Sequence, residues 1–352
     1  VCFGSGRGRP WGMAGRQVVF SDVDGTLVHL ARDLESLGSV TEDGLHFESA
    51  VGGVLAVRPL PPSSTGLQGY ISERTLKLVA ELRRLGHVFV LISGARSTTI
   101  FERLPFLPAA DAYVMENGGR IFFPVSEGHA LTAAPIIEDT EWRSVHAAAG
   151  PAAQESAPPS QRSGELWDLY RSLEQDGWAC DARSYSTNFR ISLSKSATKT
   201  EADLQAVTQN LPPTLASSFN LGVADIYPAT SGKDLAAQYL MRKFGLDPQR
   251  SVSMGDDDND LALAAAVRHT YIPGFTADSV RAAVEADPAA FTVAETGGFV
   301  GTNDLLSRIA VDFGRARVLP GPRRFPLGAV FSVVAVVLVG GAVLAPRRRR
   351  RG

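Results

Sequence analysis

Only two cysteines, Cys2 and Cys180, occur in 352 residues, and no Asn-x-Ser/Thr sequon is present. A disulfide framework is excluded and nothing argues for a secreted glycoprotein, so a reducing compartment is the expected setting. The Gly/Arg-rich opening, which starts at Val1 and runs to Gly15, has no apolar signal-peptide core. Residues 1–15 read as a disordered or incomplete N-terminus. The six histidines show no ligand spacing, which speaks against zinc. Basic charge is also missing from the main body: the formal charge is −2, and seven arginines, Arg323, Arg324 and Arg347 to Arg351, lie beyond residue 320. Without them 28 basic residues face 37 acidic ones, a balance of −9, so no nucleic-acid surface is expected.

What is present suits a folded enzyme. With 44% hydrophobic and 20% charged residues the chain can bury a core, and its length suggests two domains at roughly 150 residues each. Two short apolar runs, Gln17 to Ser21 and His87 to Ser93, flank Glu73 to Leu85, whose apolar positions 76, 78, 79, 82 and 85 have helical spacing closed by Gly86. Strand-like Tyr113 to Met115, Ser251 to Met254 and Thr270 to Ile272 alternate with helix-like Lys233 to Phe244, Asp260 to Val267, Ala277 to Ala286 and Asp304 to Phe313. That alternation predicts an α/β fold, a doubly wound, mostly parallel, Rossmann-like sheet. Two stretches interrupt it. Residues 30 to 70 read as an inserted hairpin or flap. Residues 120 to 227, with strand-like Tyr185 to Leu193, helix-like Thr200 to Leu211 and a Pro/Ala/Ser-rich loop at 147 to 164, read as an inserted α+β cap between core segments 16–119 and 228–318.

Chemistry-bearing residues collect at the predicted strand ends. Asp22-Val-Asp24-Gly25-Thr26 follows the first strand, where open α/β sheets bind ligands, and two acids one residue apart suit a nucleophile beside a proton donor. Asp24 can also offer its backbone carbonyl to a metal, and Thr26 supplies a hydroxyl. Ser93-Gly94 ends the second strand and could aim a hydroxyl and an amide at the same place. Lys233 opens a helix, where anions are already favoured, but the surrounding residues are not a P-loop. Gly255-Asp-Asp-Asp-Asn-Asp260 packs four carboxylates into five residues, a repulsion that a hard cation such as Mg²⁺ relieves; helix capping is the plainer use of some of them.

In order and context these elements resemble the haloacid dehalogenase superfamily of phosphotransferases: a DxDGT strand end, a Ser/Thr strand end, a Lys and a GDxxND-type acidic motif, spread over about residues 16 to 313. The 140-residue separation of Ser93 from Lys233 implies the large cap of Cof-type, sucrose-phosphate and mannosyl-phosphoglycerate phosphatases, and Met115-Glu-Asn-Gly-Gly119 looks like the Asn-Gly element of those groups. The chain departs from the pattern in placing Arg96 one residue late after Ser93-Gly and in the insert at 30 to 70. The resemblance implies a Mg²⁺-dependent phosphatase acting on a small phosphorylated metabolite, expected to be a phosphosugar. Asp22 and Asp24 are its expected catalytic pair, with Thr26, Ser93, Gly94 and Lys233 on the phosphate and Asp22, Asp24, Asp256 and Asp260 at the metal. Asp257 competes with Asp260 for the supporting role. Arg183 and Arg190 in the cap are candidate sugar or second-phosphate contacts. Two alternatives stay open, a phosphomannomutase-like isomerase, whose characteristic cap signature is missing from Asn188 to Lys195, and a catalytically silent membrane-anchored binding module.

One long apolar run exists, Leu327 to Ala345, nineteen residues without a charge. As a helix it would be about 28 Å long against a hydrocarbon core of ~30 Å, so it is expected to be a C-terminal transmembrane anchor. The catalytic domain would then face the cytosol, with an organelle outer envelope as the expected membrane.

Overall fold

The computed structural model describes residues 15–62, 66–125, 136–220 and 223–316. Its core is an eight-stranded sheet whose strands run in the order Ile136–Glu138, Arg120–Pro124, Ala112–Met115, Val88–Ile92, Val18–Ser21, Ser251–Met254, His269–Ile272 and Phe291–Val293. The last six are mutually parallel; Arg120–Pro124 and Ile136–Glu138 add an antiparallel edge. Strand alternation divides the core in two. Val19, Phe89, Leu91, Tyr113 and Val252 face the helices Glu73–Arg84 and Gly298–Ala316, meeting Leu76, Val79, Leu306 and Ile309. Val18, Phe20, Val88, Val90 and Val114 point the other way, onto Ala236, Ala237 and Leu240 of the helix Lys233–Phe244. Each large apolar side chain so buried contributes about 1.5–3 kcal/mol.

The cap begins later than residue 120. Arg120–Pro124 pairs with Ala112–Met115, and the short helix Thr140–Ser144 buries Trp142 in the second core cluster, its indole N–H donating to the Gly118 carbonyl at 2.7 Å. A chain that doubles back along the sheet edge before leaving it looks, in sequence, like the start of an insertion. The cap sheet itself is antiparallel, in the order Cys180–Asp181, Phe189–Ile191, Val223–Pro228, Leu215–Asn220. The helix Glu165–Gln175 packs Leu166, Trp167 and Leu173 on it, and Glu201–Gln209, opened by a Thr200–Asp203 capping box, adds Leu204.

Residues 30 to 70 form more than a flap. They complete a five-stranded antiparallel sheet in the order Val28–Leu30, Gly69–Ser72, Val54–Pro59, His46–Ser49, Gly38–Val40. Phe47 and Val57 of this sheet, with Leu34 of the short helix Ala31–Leu34, pack on Phe299 at the start of the last helix, so the segment has a small core of its own.

No helix of the described residues is long and apolar enough to cross a membrane. Residues 1–14 and the run Leu327 to Ala345 lie outside the described residues.

Candidate active site

Val18–Ser21 sits where the strand order reverses, between Val88–Ile92 and Ser251–Met254, and all three run parallel, so their carboxyl ends share one edge. Asp22 follows directly, its N–H still bonded to the Met254 carbonyl at 2.9 Å. The chain then turns at Gly25, whose φ of +85° suits glycine and whose missing Cβ would lie 2.1 Å from Asp256 Oδ2. Thr26 is fully buried and donates its hydroxyl to Asp256 Oδ1 at 2.7 Å, while Thr302 donates to the Thr26 carbonyl at 2.6 Å. Its hydroxyl, expected on the phosphate, is engaged instead in orienting Asp256.

Asp22, Asp256 and Asp260 each present an oxygen within 4.8 Å of the others, all three buried. Into this cluster Lys233, at the first position of its helix, sends its ammonium, donating to Asp22 Oδ1 at 2.6 Å, Asp260 Oδ1 at 2.7 Å and Asn259 Oδ1 at 3.0 Å. Burial would lower the Lys233 pKa, but Asp22 and Asp260 hold it above the ordinary lysine value. One ammonium does not balance three carboxylates. Burial, with Asp260 and Asp256 adding repulsion, raises Asp22 well above the usual carboxylate range against the pull of Lys233. Burial and then Asp260 push Asp256 up to about 8. An all-oxygen, buried, undercompensated donor set fits a hard divalent cation.

Asp260, rather than Asp257, joins this group. Asp260 Oδ2 also accepts from the Asp256 and Asp257 N–H groups at 3.2 and 3.4 Å, whereas Asp257 accepts from the Asp258 N–H at 2.8 Å and faces the pocket. Asp24 stands outside the trio: its carboxylate, 29% exposed, is paired with Arg103 at 2.8 Å.

Ser93 ends Val88–Ile92 and lines the pocket, its Oγ accepting from the Ala95 N–H at 3.0 Å, which leaves the hydroxyl proton to be donated. Gly94 is buried beside it. Behind Ser93 lies a loop whose role is not evident from the sequence. Glu116 and Asn117 adopt positive φ, 55° and 52°, and Asn117 accepts from Asn259 Nδ2 at 3.3 Å, one residue removed from Lys233. Gly118 touches Gly232 so closely that a Cβ would lie 2.1 Å from its carbonyl oxygen. The fully buried Glu116 accepts from Ser97 Oγ on the core and from Ser186 N, Thr187 N and Thr187 Oγ1 of the cap, at 2.6 to 2.9 Å. It fastens cap to core.

The pocket over Asp22 and Asp24 is closed on its other sides by Leu30, Asp33 and Leu67 of the inserted segment and by Arg96, Tyr185 and Arg190. Arg190 pairs with the fully buried Asp225 at 2.8 Å, and Arg96 pairs with Asp181 at 2.6 Å across the core–cap boundary. Both guanidiniums lie over Tyr185, Arg96 at 4.9 Å and Arg190 at 5.9 Å from the ring centre. Of the two cap arginines singled out in the sequence, Arg190 reaches the pocket; Arg183 is 80% exposed on Asp181 and is not among the lining residues. Arg103, Asp225, Tyr185 and the carboxylate of Glu116 carried no sequence signal beyond, for Glu116, its place in the Asn-Gly element.

Among solved structures, the sucrose-phosphatase of Synechocystis sp. PCC6803, determined with sucrose and phosphate, superposes with a TM-score of 0.55 at 16% identity, over 85% of this chain and 98% of that one. The chain has the haloacid dehalogenase fold. A phosphatase of that superfamily from Bacteroides thetaiotaomicron has a TM-score of 0.51 at 14% identity, covering 88% and 99% of the two chains. A Thermoplasma acidophilum protein gives 0.51 at 13%, covering 85% and 98% of the two chains. The family model of sucrose-6F-phosphate phosphohydrolase matches residues 178–272, a segment that holds Arg190, Lys233, Asp256 and Asp260. A search of curated proteins finds no match. The haloacid dehalogenase fold, the matched segment and the four motifs all resemble those of phosphoric monoester hydrolases acting on sugar phosphates.

Proposed function

We propose that this chain is a Mg²⁺-dependent phosphatase that hydrolyses the phosphate monoester of a sugar through an aspartyl-phosphate on Asp22. The observation that carries the reading is the buried contact of Lys233 with Asp22 and Asp260 beside Asp256, at the sheet's switch point and beneath a capped pocket. Asp22, Asp256 and Asp260 would hold the cation, with the Asp24 carbonyl as a further ligand. When bound, Mg²⁺ supplies the positive charge that lets an anionic nucleophile approach an anionic ester.

Asp22 attacks phosphorus, forming an oxygen–phosphorus bond as the bond to the sugar oxygen breaks. Asp24 delivers a proton to the departing sugar oxygen. Water then attacks the phosphorus of the aspartyl-phosphate, Asp24 takes the water's proton, and phosphate leaves Asp22. Ser93, with a proton to donate, and Gly94 suit the transferring phosphoryl oxygens, and Lys233 orients Asp22. On the far wall the guanidiniums of Arg96 and Arg190 are already matched by Asp181 and Asp225. That balance suits hydroxyl groups better than a second anion.

The test is phosphate release from a panel of phosphosugars with and without Mg²⁺, for the wild type and Asp22→Asn. The variant is expected to lose at least ~10⁴-fold, since an amide cannot form the acyl phosphate. Undiminished hydrolysis by that variant overturns the reading. The run Leu327 to Ala345 is proposed as a membrane anchor for a cytosol-facing catalytic domain; release of the full chain by alkaline carbonate would sink that proposal.

A further inference from the structure

Arg103 is 1% exposed and ends the helix Ser97–Arg103, seven residues past Arg96, in a part of the chain where the sequence shows no motif. Its Nη1 donates to Asp24 Oδ1 at 2.8 Å, and its Nε donates to the Pro61 carbonyl of the inserted segment at 3.2 Å. Nη2 is buried with no hydrogen-bond partner. A guanidinium taken out of water is costly unless paired, and a planar fork divided between a carboxylate and a fixed carbonyl leaves the carboxylate little freedom. The pair has one dry end and one wet end, because Asp24 opens on the pocket. It therefore holds Asp24 on the side of the helix Ser97–Arg103, outside the group of Asp22, Asp256 and Asp260 that Lys233 serves.

We propose that Arg103 is a positioning residue for proton transfer: anchored by the inserted segment through Pro61, it fixes the Asp24 carboxylate where the leaving oxygen and, later, the hydrolytic water must meet it. The inference rests on the phosphatase reading above. It also gives the insert between the first two motifs a part in the chemistry. Without Arg103 the Asp24 carboxyl group can rotate, so protonation of a sugar leaving oxygen and activation of the hydrolytic water both slow, whereas attack by Asp22 on an ester whose leaving group needs no proton does not.

p-Nitrophenyl phosphate separates these steps, since nitrophenolate leaves without a proton, whereas hydrolysis of the aspartyl-phosphate still needs Asp24. With Mg²⁺ in rapid mixing, Arg103→Met is expected to release about one equivalent of nitrophenolate per enzyme in a burst, followed by turnover lowered on the order of 10²-fold. Arg103→Lys, able to keep the charge but not the fork, should recover part of that loss. In an Asp24→Asn background Arg103→Lys should change the turnover no further, because the group it positions is gone. Thermal melting checks that each variant is folded, and if Arg103→Met is not, the Arg103→Lys and double-variant comparison decides. Burst and turnover falling together, additive losses in the double variant, or an unchanged Arg103→Lys overturns the inference alone. A wild type inert on every phosphate ester overturns the phosphatase reading, and this inference with it.

Discussion

On the core side of the pocket three buried carboxylates, Asp22, Asp256 and Asp260, share the ammonium of Lys233, whereas on the far side Arg96 faces Asp181 and Arg190 faces Asp225. The consequence is written in the carboxyl groups: burial drives Asp22 and Asp256 upward, while the burial cost at Asp181 is outweighed by Arg183 and Arg96, which hold it below the usual range. The first wall calls for a ligand that brings positive charge, as the proposed Mg²⁺ would, and the second is complete in itself. Core and cap thus place an electrostatic deficit and an electrostatic balance on opposite sides of the same pocket.

The sharpest way to break this comparison is to remove one carboxylate from the deficient wall. Asp256→Ala should lower Mg²⁺-dependent phosphate release by about 10²-fold or more, because several kcal/mol of transition-state charge stabilisation depend on the cation. A melting curve carries the same information without turnover. Mg²⁺ should raise the Tm of the wild type and not that of Asp256→Ala, and the gain should be larger at pH 8.5 than at 6.5, since the ion must displace the proton that Asp256 holds up to about 8. An equal gain at both pH values would remove the idea of an undercompensated cluster.

The balanced wall should fail differently. Asp225→Asn leaves the Arg190 guanidinium without its buried countercharge and should cost about 3 kcal/mol of unfolding free energy, read by urea denaturation, with Mg²⁺ binding unchanged. A change below about 0.5 kcal/mol, the usual scatter of surface substitutions, would mean that the pair is not a structural unit.

The smallest effect lies away from both walls. Burial lowers His29 and His146 from 6.5 to about 4, with Arg143 adding to the effect at His146. The unfolded chain therefore binds more protons than the native one between about pH 6.5 and 4, so the stabilisation present above 6.5 is lost as the pH falls through that window. Between pH 7 and 5.5 each should contribute a loss of about 1 kcal/mol, and His29→Asn should flatten the slope by that amount. An unchanged slope in the variant would exclude His29 as a source.

Much of this arrangement was legible in the sequence for a simple reason. The central strands are apolar runs ended by chemistry, so Gln17 to Ser21 announces Val18–Ser21 and places Asp22 correctly, and Lys233–Phe244 and Ser251–Met254 appear with their predicted bounds. The acidic motif is contiguous and needs no tertiary knowledge. Contacts made across the fold were not legible. Arg103 meets Asp24 over 79 positions, and Asp225 meets Arg190 over 35, and neither separation has a period. The insert resisted for another reason: its strands are three to six residues long and largely half-exposed, so they lack the alternation that marks a sheet with one buried face. Thr26 was misplaced because a hydroxyl beside an Asp-x-Asp motif is equally suited to a phosphate or to a neighbouring carboxylate, and which is nearer depends on a strand 230 residues away.

Gly25 has a practical consequence for anyone redesigning this pocket. A methyl group there would fall 2.1 Å from an oxygen of Asp256, so the turn after Asp22 and the acidic strand end interlock like a key in its ward. Libraries that vary residues 22 to 26 while holding Asp256 fixed will contain almost no folded, active members with anything but glycine at the turn. Altered specificity is better sought at Leu30, Asp33 and Leu67, which border the same space from the inserted segment, away from that lock.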